Sequence, residues 1–137
     1  MENCVCFNLR WVTRAVTQFF DAELRQQGIR PTQTPILGAL QARSGLGMAA
    51  LSDWLGMDRT TLVRNLRPLQ RDGLVRTTAS GRGARIQLEL TEKGRQALAK
   101  FLPAWRAAQA KVVETLGSPR WSAILNDLEQ AALKLEK

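Results

Sequence analysis

A short basic segment holds side chains that could bind a polyanion or the edges of nucleic-acid bases. Within DRTTLVRNLRPLQR, residues 58–71, a helical periodicity of about 100° per residue sorts the side chains onto two opposite faces. One face carries a hydroxyl and three guanidinium groups, from Thr60, Arg64, Arg67 and Arg71. The opposite face carries Leu62, Leu66 and Leu69. Because arginine pairs with guanine O6 and N7, and threonine with thymine methyl groups or phosphate, the pattern favours a helix in a major groove.

The charge of the chain also indicates a polyanionic partner. Lys and Arg number 20 against 12 acidic residues among 137, which gives a formal net charge of +8. Between Asp58 and Gly94 there are four acidic residues and eight basic ones, the latter being Arg59, Arg64, Arg67, Arg71, Arg76, Arg82, Arg85 and Lys93. Such a cluster is typical of a nucleic-acid-binding surface, and the plainer alternative is a solvated face.

The two cysteines, Cys4 and Cys6, are the other candidates for side-chain chemistry. Without a histidine or a second cysteine pair they make a poor zinc site, so we expect no metal and no cofactor. If both residues were helical, their side chains would point to nearly opposite faces, and a bridge within the chain would need local unwinding. They could form a redox switch near a subunit interface, or they could be inert small hydrophobic residues.

The composition argues against an enzyme and against a membrane protein. Hydrophobic residues make up 45% and charged residues 23%, as in one soluble globular domain. The chain has no histidine and no glycine-rich phosphate loop, so a thiol oxidoreductase built on the two cysteines is the enzymatic alternative. No apolar run approaches the roughly 20 residues of a membrane-spanning helix, and the first residues do not resemble a secretory signal. We therefore expect a cytoplasmic protein.

Helical and strand periodicities place the basic segment among five other helices. The predicted order is a helix over residues 5–27, a short helix opened by residues 30–32, a helix over residues 48–55, the basic helix capped by Asp58, a hairpin over residues 74–90, a long helix capped by Thr91, and a last helix opened by Ser118. Residues 44–47 are predicted to form a loop. Two short helices joined by residues 56–58 indicate a helix-turn-helix, and the hairpin makes it winged. The fold class is mainly α (α+β).

The hairpin and the terminal helices add two further expectations. Arg82 at the hairpin tip could enter a minor groove or be an ordinary turn residue, whereas Arg76 and Arg85 are placed to clamp phosphate. The terminal helices carry broad apolar stripes that could pack within one chain or bury one another in a dimer. Their aromatic residues include Phe19, Phe20, Trp105 and Trp121.

Three segments carry a resemblance to a known family, and they occur in the order IRPTQTPILGAL, LSDWLGMDRTTLVRNLRPLQRDGLV and IQLELTEKG. They resemble the multiple-antibiotic-resistance regulator (MarR) family of winged-helix transcription factors over essentially the whole chain. The resemblance implies one domain over residues 1–137, with a DNA-binding part at about 30–91 and dimerisation helices at 1–29 and 92–137. It implies a homodimeric repressor on a pseudo-palindromic double-stranded DNA operator, released by a small aromatic or acyl ligand or by thiol oxidation.

The resemblance also assigns DNA-binding residues. Those on the recognition helix are Thr60, Thr61, Arg64, Asn65 and Arg67, and those in the wing are Arg82 and Arg85. In this family the wing commonly carries an aspartate that orients an arginine two residues later, but the SGRGAR segment here contains no acid. The wing arginines therefore lack the orienting aspartate that is common in the family, and the assignments on the recognition helix do not depend on it.

Two alternatives stay open. The family's effector pocket lies between the dimer helices and the winged domain, and its candidate lining residues could equally be ordinary core and surface; they are Trp11, Arg14, Phe19 and Arg43. The alternative function is a winged-helix module that binds RNA or another protein without operator specificity. A steep salt dependence on duplex DNA with little preference for single strands would separate the two.

Overall fold

The computed structural model describes residues 3–79 and 85–135. Its elements are α1 (Val5–Leu24), α2 (Thr34–Ala42), α3 (Met48–Leu55), α4 (Arg59–Arg71), β1 (Val75–Thr78), β2 (Gln87–Leu90), α5 (Glu92–Leu116) and α6 (Ser118–Leu135). The predicted fold class is confirmed: the chain is mainly helical, with a two-stranded antiparallel wing. α1 ends before the predicted residue 27. Pro35 lies in the first turn of α2, where its missing amide hydrogen costs no helical hydrogen bond.

The hydrophobic core is formed by buried side chains of α2 to α5 and of the hairpin. Ile36 and Leu37 on α2 are completely buried, and Phe101 on α5 is 1% exposed. α1 contributes to this core through its C-terminal half, where Phe20 and Leu24 are buried. The helix-turn-helix and the wing therefore rest on one continuous apolar base, which fixes the direction of α4 relative to the wing.

The loop before α3 joins the wing, although residues 44–47 were predicted only as a loop. Leu46 forms an isolated antiparallel bridge with Leu88 of β2. The Leu88 amide donates to the Leu46 carbonyl at 2.8 Å, and the Gly45 amide donates to the Leu88 carbonyl at 3.2 Å. Gly45 has a φ of +76°, a conformation that residues with a Cβ rarely adopt. This bridge attaches the base of the wing to the start of α3.

The first turn of α5 is clamped to the end of the helix-turn-helix. Thr91 is the predicted cap, and its Oγ1 accepts a hydrogen bond from the Gly94 amide at 3.0 Å. The same hydroxyl donates to the Gly73 carbonyl at 2.6 Å, and Lys93 Nζ donates to the Asp72 carbonyl at 2.8 Å. The LTEKG segment therefore ties α5 to the turn that follows α4.

The two terminal helices are largely exposed in the single chain. α6 has no buried residue in its described length, and the large apolar side chains in the N-terminal half of α1 are exposed. The most exposed of these are Val5 (72%), Trp11 (59%) and Val12 (56%). In residues 3–79 and 85–135, we find no helix with the length and apolarity needed to cross a membrane.

Candidate DNA-binding surface

The two faces predicted for α4 occur in the structure. Leu62 is completely buried, and Leu66 and Leu69 are each 2% exposed. The opposite face is exposed and carries Thr60, Arg64, Arg67 and Arg71. The helix continues through Pro68 to Arg71. α4 is therefore fixed to the domain by its leucines, and this anchoring leaves a hydroxyl and three guanidinium groups in solvent.

The start of α4 is held by Asp58, as predicted. Asp58 Oδ1 accepts from the Thr61 amide at 2.9 Å, and Oδ2 accepts from Thr61 Oγ1 at 2.6 Å. The hydrogen bond from the Thr61 hydroxyl, followed by the one from its amide, lowers the pKa of the Asp58 carboxyl below its ordinary value. Asn65 Nδ2 donates to the Thr61 carbonyl at 3.0 Å. Thr61 and Asn65 thus already serve the local structure of α4.

The arginines of α4 differ in their partners. Within the described part of the chain, the side chains of Thr60, Arg64 and Arg67 form no hydrogen bond or ion pair with the protein. Arg71 is different because its Nε lies 2.9 Å from Asp72 Oδ1, and this pair lowers the pKa of the Asp72 carboxyl. Arg64 and Arg67 therefore keep all their donors available to an external ligand. Arg59 at the start of α4 also forms no side-chain hydrogen bond or ion pair within the described part of the chain.

In the wing, Arg76 Nη2 lies 3.0 Å from Glu89 Oε2 across the β1–β2 pair, which weakens its interpretation as a phosphate clamp. Arg85 is exposed and shares with Arg43 a groove of about 600 Å³ at the start of α3. Arg82 lies outside the described residues, and its place at the wing tip stays a prediction.

A further arginine approaches α4 from the turn before α2. A groove of about 470 Å³ runs between this turn and α4, and its polar lining residues include Arg30, Thr32, Thr61, Arg64 and Asn65. Sequence patterns did not single out Arg30 or Thr32 because their proximity to α4 comes from tertiary packing, not from helical spacing. The surface around Arg64 is thus wider than α4 itself.

The residues predicted for an effector pocket lie on two separate elements. Trp11 and Arg14 are exposed on α1, and Phe19 is half-buried with its ring edge-to-face against Phe20 at a centroid distance of 5.8 Å. Arg43 follows α2 and lines the groove beside Arg85, a groove to which the three α1 residues do not contribute. In the described part of the chain, Trp11, Arg14 and Phe19 therefore do not share the groove that Arg43 lines.

The two cysteines are both exposed near the start of α1. Cys4 is the residue before the helix, with an extended backbone (φ −76°, ψ 111°), whereas Cys6 lies in the first turn. The premise that both residues are helical is therefore wrong for Cys4. The local unwinding predicted for a bridge between two helical cysteines is therefore not required at Cys4.

Known proteins resemble this chain in sequence and structure. The MarR family model matches residues 27–86. The transcriptional regulator MosR of M. tuberculosis, solved in complex with DNA, is 38% identical over 98% of this chain and 100% of its own, with a TM-score of 0.83. The transcriptional repressor CouR, bound to a 23-mer DNA duplex, is 26% identical over 96% of this chain and 94% of its own, with a TM-score of 0.84.

A third structure shares the fold alone. The PcaV transcriptional regulator from Streptomyces coelicolor, in complex with its natural ligand, is 19% identical over 96% of this chain and 93% of its own, with a TM-score of 0.85. A comparison with curated protein sequences gives no significant match. The match to MosR covers nearly all of both chains. The structure of this chain has the exposed basic helix and the wing of a winged helix-turn-helix. The chain belongs to the MarR family and is a DNA-binding transcriptional regulator.

Proposed function

We propose that the protein is a sequence-specific repressor that places α4 in the major groove of its operator. The observation that carries this proposal is the exposed row of Thr60, Arg64 and Arg67, whose side chains have no hydrogen-bonding partner in the described protein, opposite a fully buried leucine row. Guanidinium groups donate two hydrogen bonds to guanine O6 and N7, so Arg64 and Arg67 are assigned to base recognition. Thr60 contacts a base or phosphate beside them.

The remaining assigned residues have supporting roles on the same DNA. Thr61 and Asn65 lie at the flank of α4 beside Arg30, where they stabilise the first turns of the helix. From this position they contact the adjoining DNA backbone. Arg71 contacts phosphate, because its pair with Asp72 leaves fewer free donors for a base. Arg85 contacts phosphate from the wing, and Arg82 is assigned to the minor groove on its predicted place at the hairpin tip and on the family resemblance. Phosphate contacts of this kind fix register and carry no sequence information directly.

The functional unit is proposed to be a homodimer on a pseudo-palindromic operator. Support comes from the exposed apolar side chains of α1 and from α6, where Leu125 and Leu128 are each 41% exposed and nothing is buried. Helices from a second copy would remove this surface from water. Residues 1–29 and 92–137 are assigned to dimerisation and residues 30–91 to DNA binding. Two α4 helices related by a twofold axis require half-sites about 10 bp apart.

Release of the operator is proposed to follow a signal received in the dimerisation part. One signal is a small aromatic or acyl ligand held near Trp11, Arg14, Phe19 and Arg43. The other is oxidation of Cys4 and Cys6, which is supported by the exposure of both thiols at the start of α1. Peroxide supplies the oxidant in the second case, and the thiols become a disulfide as peroxide is reduced to water.

A fluorescence-anisotropy titration tests the operator-binding proposal. The DNA upstream of the protein's own gene, a scrambled duplex of equal length, and a single-stranded RNA of the same sequence are titrated at two salt concentrations. Selective binding to the upstream duplex, with a steep salt dependence, supports a sequence-specific regulator. Equal binding to both duplexes contradicts recognition of this operator, and preference for the RNA would favour the alternative of an RNA-binding winged helix.

A further inference from the structure

One apolar side chain of α4 stands apart from the leucine row. Val63 is half-buried in a surface depression of about 510 Å³, whereas the leucines of α4 are buried in the core. The other residues that line this depression are all polar or charged, namely Arg59, Thr60, Arg64 and Arg67. The depression therefore has an apolar part surrounded by guanidinium and hydroxyl groups.

The flank of α4 that carries Val63 is the one that faces the wing. Gln70 lies seven residues, or close to two helical turns, beyond Val63 and so points in nearly the same direction. Gln70 Nε2 donates a hydrogen bond to Thr77 Oγ1 on β1 at 3.0 Å. Because a winged helix-turn-helix presents its recognition helix and its wing to the same duplex, the flank between them faces DNA.

We propose that Val63 recognises thymine by contact with its 5-methyl group, at a base pair next to a guanine read by Arg64 or Arg67. This inference rests on the proposed placement of α4 in the major groove. Thymine is the base that presents a methyl group there, and an apolar side chain is its natural contact. A cytosine at the same place carries hydrogen instead of a methyl group at C5, so the valine would lose the apolar contact that it makes with thymine.

The arginines beside Val63 make this contact selective. Their guanidinium groups offer donors to guanine acceptors, and the valine offers none, so the depression distinguishes a thymine from the guanine beside it. Among the positions assigned above, only the threonines carry a methyl group, and none has a wholly apolar side chain, because they are threonine, asparagine or arginine. Val63 therefore adds a kind of recognition that the arginine row does not provide.

The test removes one methyl group at a time from the DNA. Each thymine of the operator is replaced singly by deoxyuridine, and the wild type, Val63→Ala and Val63→Thr are titrated against every duplex. In each half-site we expect one thymine whose replacement weakens wild-type binding about fourfold, the value of burying one methyl group. Val63→Ala should bind the unmodified operator at least about fourfold more weakly and should be insensitive to deoxyuridine at that thymine.

Two controls keep the result interpretable. Val63→Thr preserves the shape of the side chain and replaces one methyl group with a hydroxyl, so it should fall between the wild type and Val63→Ala in its sensitivity to deoxyuridine. Thermal melting of the three proteins establishes that α4 stays folded. A loss in Val63→Ala that is equal for thymine and deoxyuridine at every position would overturn the inference and leave Val63 a packing role.

The failure of the proposed function gives a different result. In that case the wild type would show no preference for the operator over a scrambled duplex, and both the repressor proposal and the thymine contact would be rejected. A wild type that prefers its operator but is indifferent to every deoxyuridine substitution would reject the thymine contact alone.

Discussion

A Cβ atom added to Gly94 would lie 2.0 Å from the carbonyl oxygen of Leu74. This separation is far below any van der Waals contact, so the first turn of α5 can meet the backbone after α4 only because residue 94 is glycine. Gly94→Ala should therefore destabilise the protein by about 3 kcal/mol, the upper end of the usual cost of overpacking. Urea unfolding followed by circular dichroism measures the change.

Gly38→Ala is the matched control for this substitution. Gly38 lies inside α2, and a Cβ atom there would have nothing within 4 Å. Alanine should stabilise α2 by up to about 1 kcal/mol because it restricts the unfolded chain. If both variants unfold at the same urea concentration as the wild type, the close approach of α5 to Leu74 does not carry the stability assigned to it.

Arg64→Ala should reduce the preference of the protein for its operator. The Arg64 guanidinium has no hydrogen bond within the described protein, so its removal costs DNA contacts and no internal hydrogen bond. We expect a loss of about 1–3 kcal/mol on the operator and a smaller loss on a scrambled duplex. Arg71→Ala is the comparison, because Arg71 already pairs with Asp72, and it should weaken both duplexes to a similar, smaller extent. Equal losses on both duplexes for Arg64→Ala would remove its base-reading role.

The cap of α4 should make stability depend on pH in the acid range. Hydrogen bonds from Thr61 lower the pKa of Asp58 in the folded protein below its ordinary value of 3.8. The ionised form is thus favoured by folding, and its contribution is present above pH 3.8 and is lost as the pH falls through the folded pKa. Asp58→Asn keeps an acceptor but does not titrate. The wild type should unfold at a higher temperature than Asp58→Asn near pH 6, and the difference should shrink below pH 3.8.

The difference in melting temperature between the wild type and Asp58→Asn separates the effect of Asp58 from that of the other acidic residues. Asp72 and Glu92 also have lowered pKa values, through their pairs with Arg71 and Arg95, and both contribute equally to the two proteins. A melting-temperature difference between wild type and Asp58→Asn that stays constant from pH 6 to pH 2.5 would show that the cap does not depend on the charge of Asp58.

Leu128→Glu should convert the proposed homodimer into a folded monomer. Leu128 is 41% exposed on α6 in the single chain, so a carboxylate there is tolerated by the monomer but not by an apolar interface. Light scattering at micromolar concentration should give twice the mass of one chain for the wild type and one mass for the variant. Gln41→Glu, which adds the same charge on α2, should remain dimeric. A monomeric wild type would contradict the homodimer.

Peroxide should release the operator from the wild type if the thiols sense oxidation. The double variant Cys4→Ser, Cys6→Ser should bind the operator as tightly as the reduced wild type and should keep it in peroxide, because serine is not oxidised. Anisotropy of labelled operator follows the release, and a thiol reductant should restore binding to the wild type. Identical behaviour of the two proteins would eliminate the redox signal and leave the small ligand.

Local patterns in the sequence were sufficient for the elements and for the two faces of α4. The cap at Asp58, the leucine row and the cap at Thr91 follow from spacing within one helix, and all are found in the structure. The Leu46–Leu88 bridge joins residues that are distant in the chain, and no periodicity reports such a contact. For the same reason, the set of residues that the sequence predicted for the surface around α4 was incomplete. Arg30 reaches it only through tertiary packing.

The terminal helices show a different limit of sequence reasoning. An apolar stripe predicts that one face of a helix is buried, but it does not show whether that face packs against the same chain or against a second one. On α1 the stripe divides, because Phe20 and Leu24 are buried within the chain whereas Trp11 and Val12 are exposed. Only the three-dimensional packing separates the two parts of the stripe.

The clamp between α5 and the end of α4 gives the molecule a long lever arm. α5 has 25 residues, which at a rise of about 1.5 Å per residue makes a rod of about 37 Å. A tilt of about 3° about its far end would displace the clamped turn by about 2 Å, which exceeds the roughly 0.5 Å range of hydrogen-bond distances. Pro103, near the middle of the rod, removes one backbone hydrogen bond and marks the point at which the lever bends most easily. In the proposed homodimer, a ligand bound between the terminal helices would thus change the spacing of the two recognition helices without contacting the DNA.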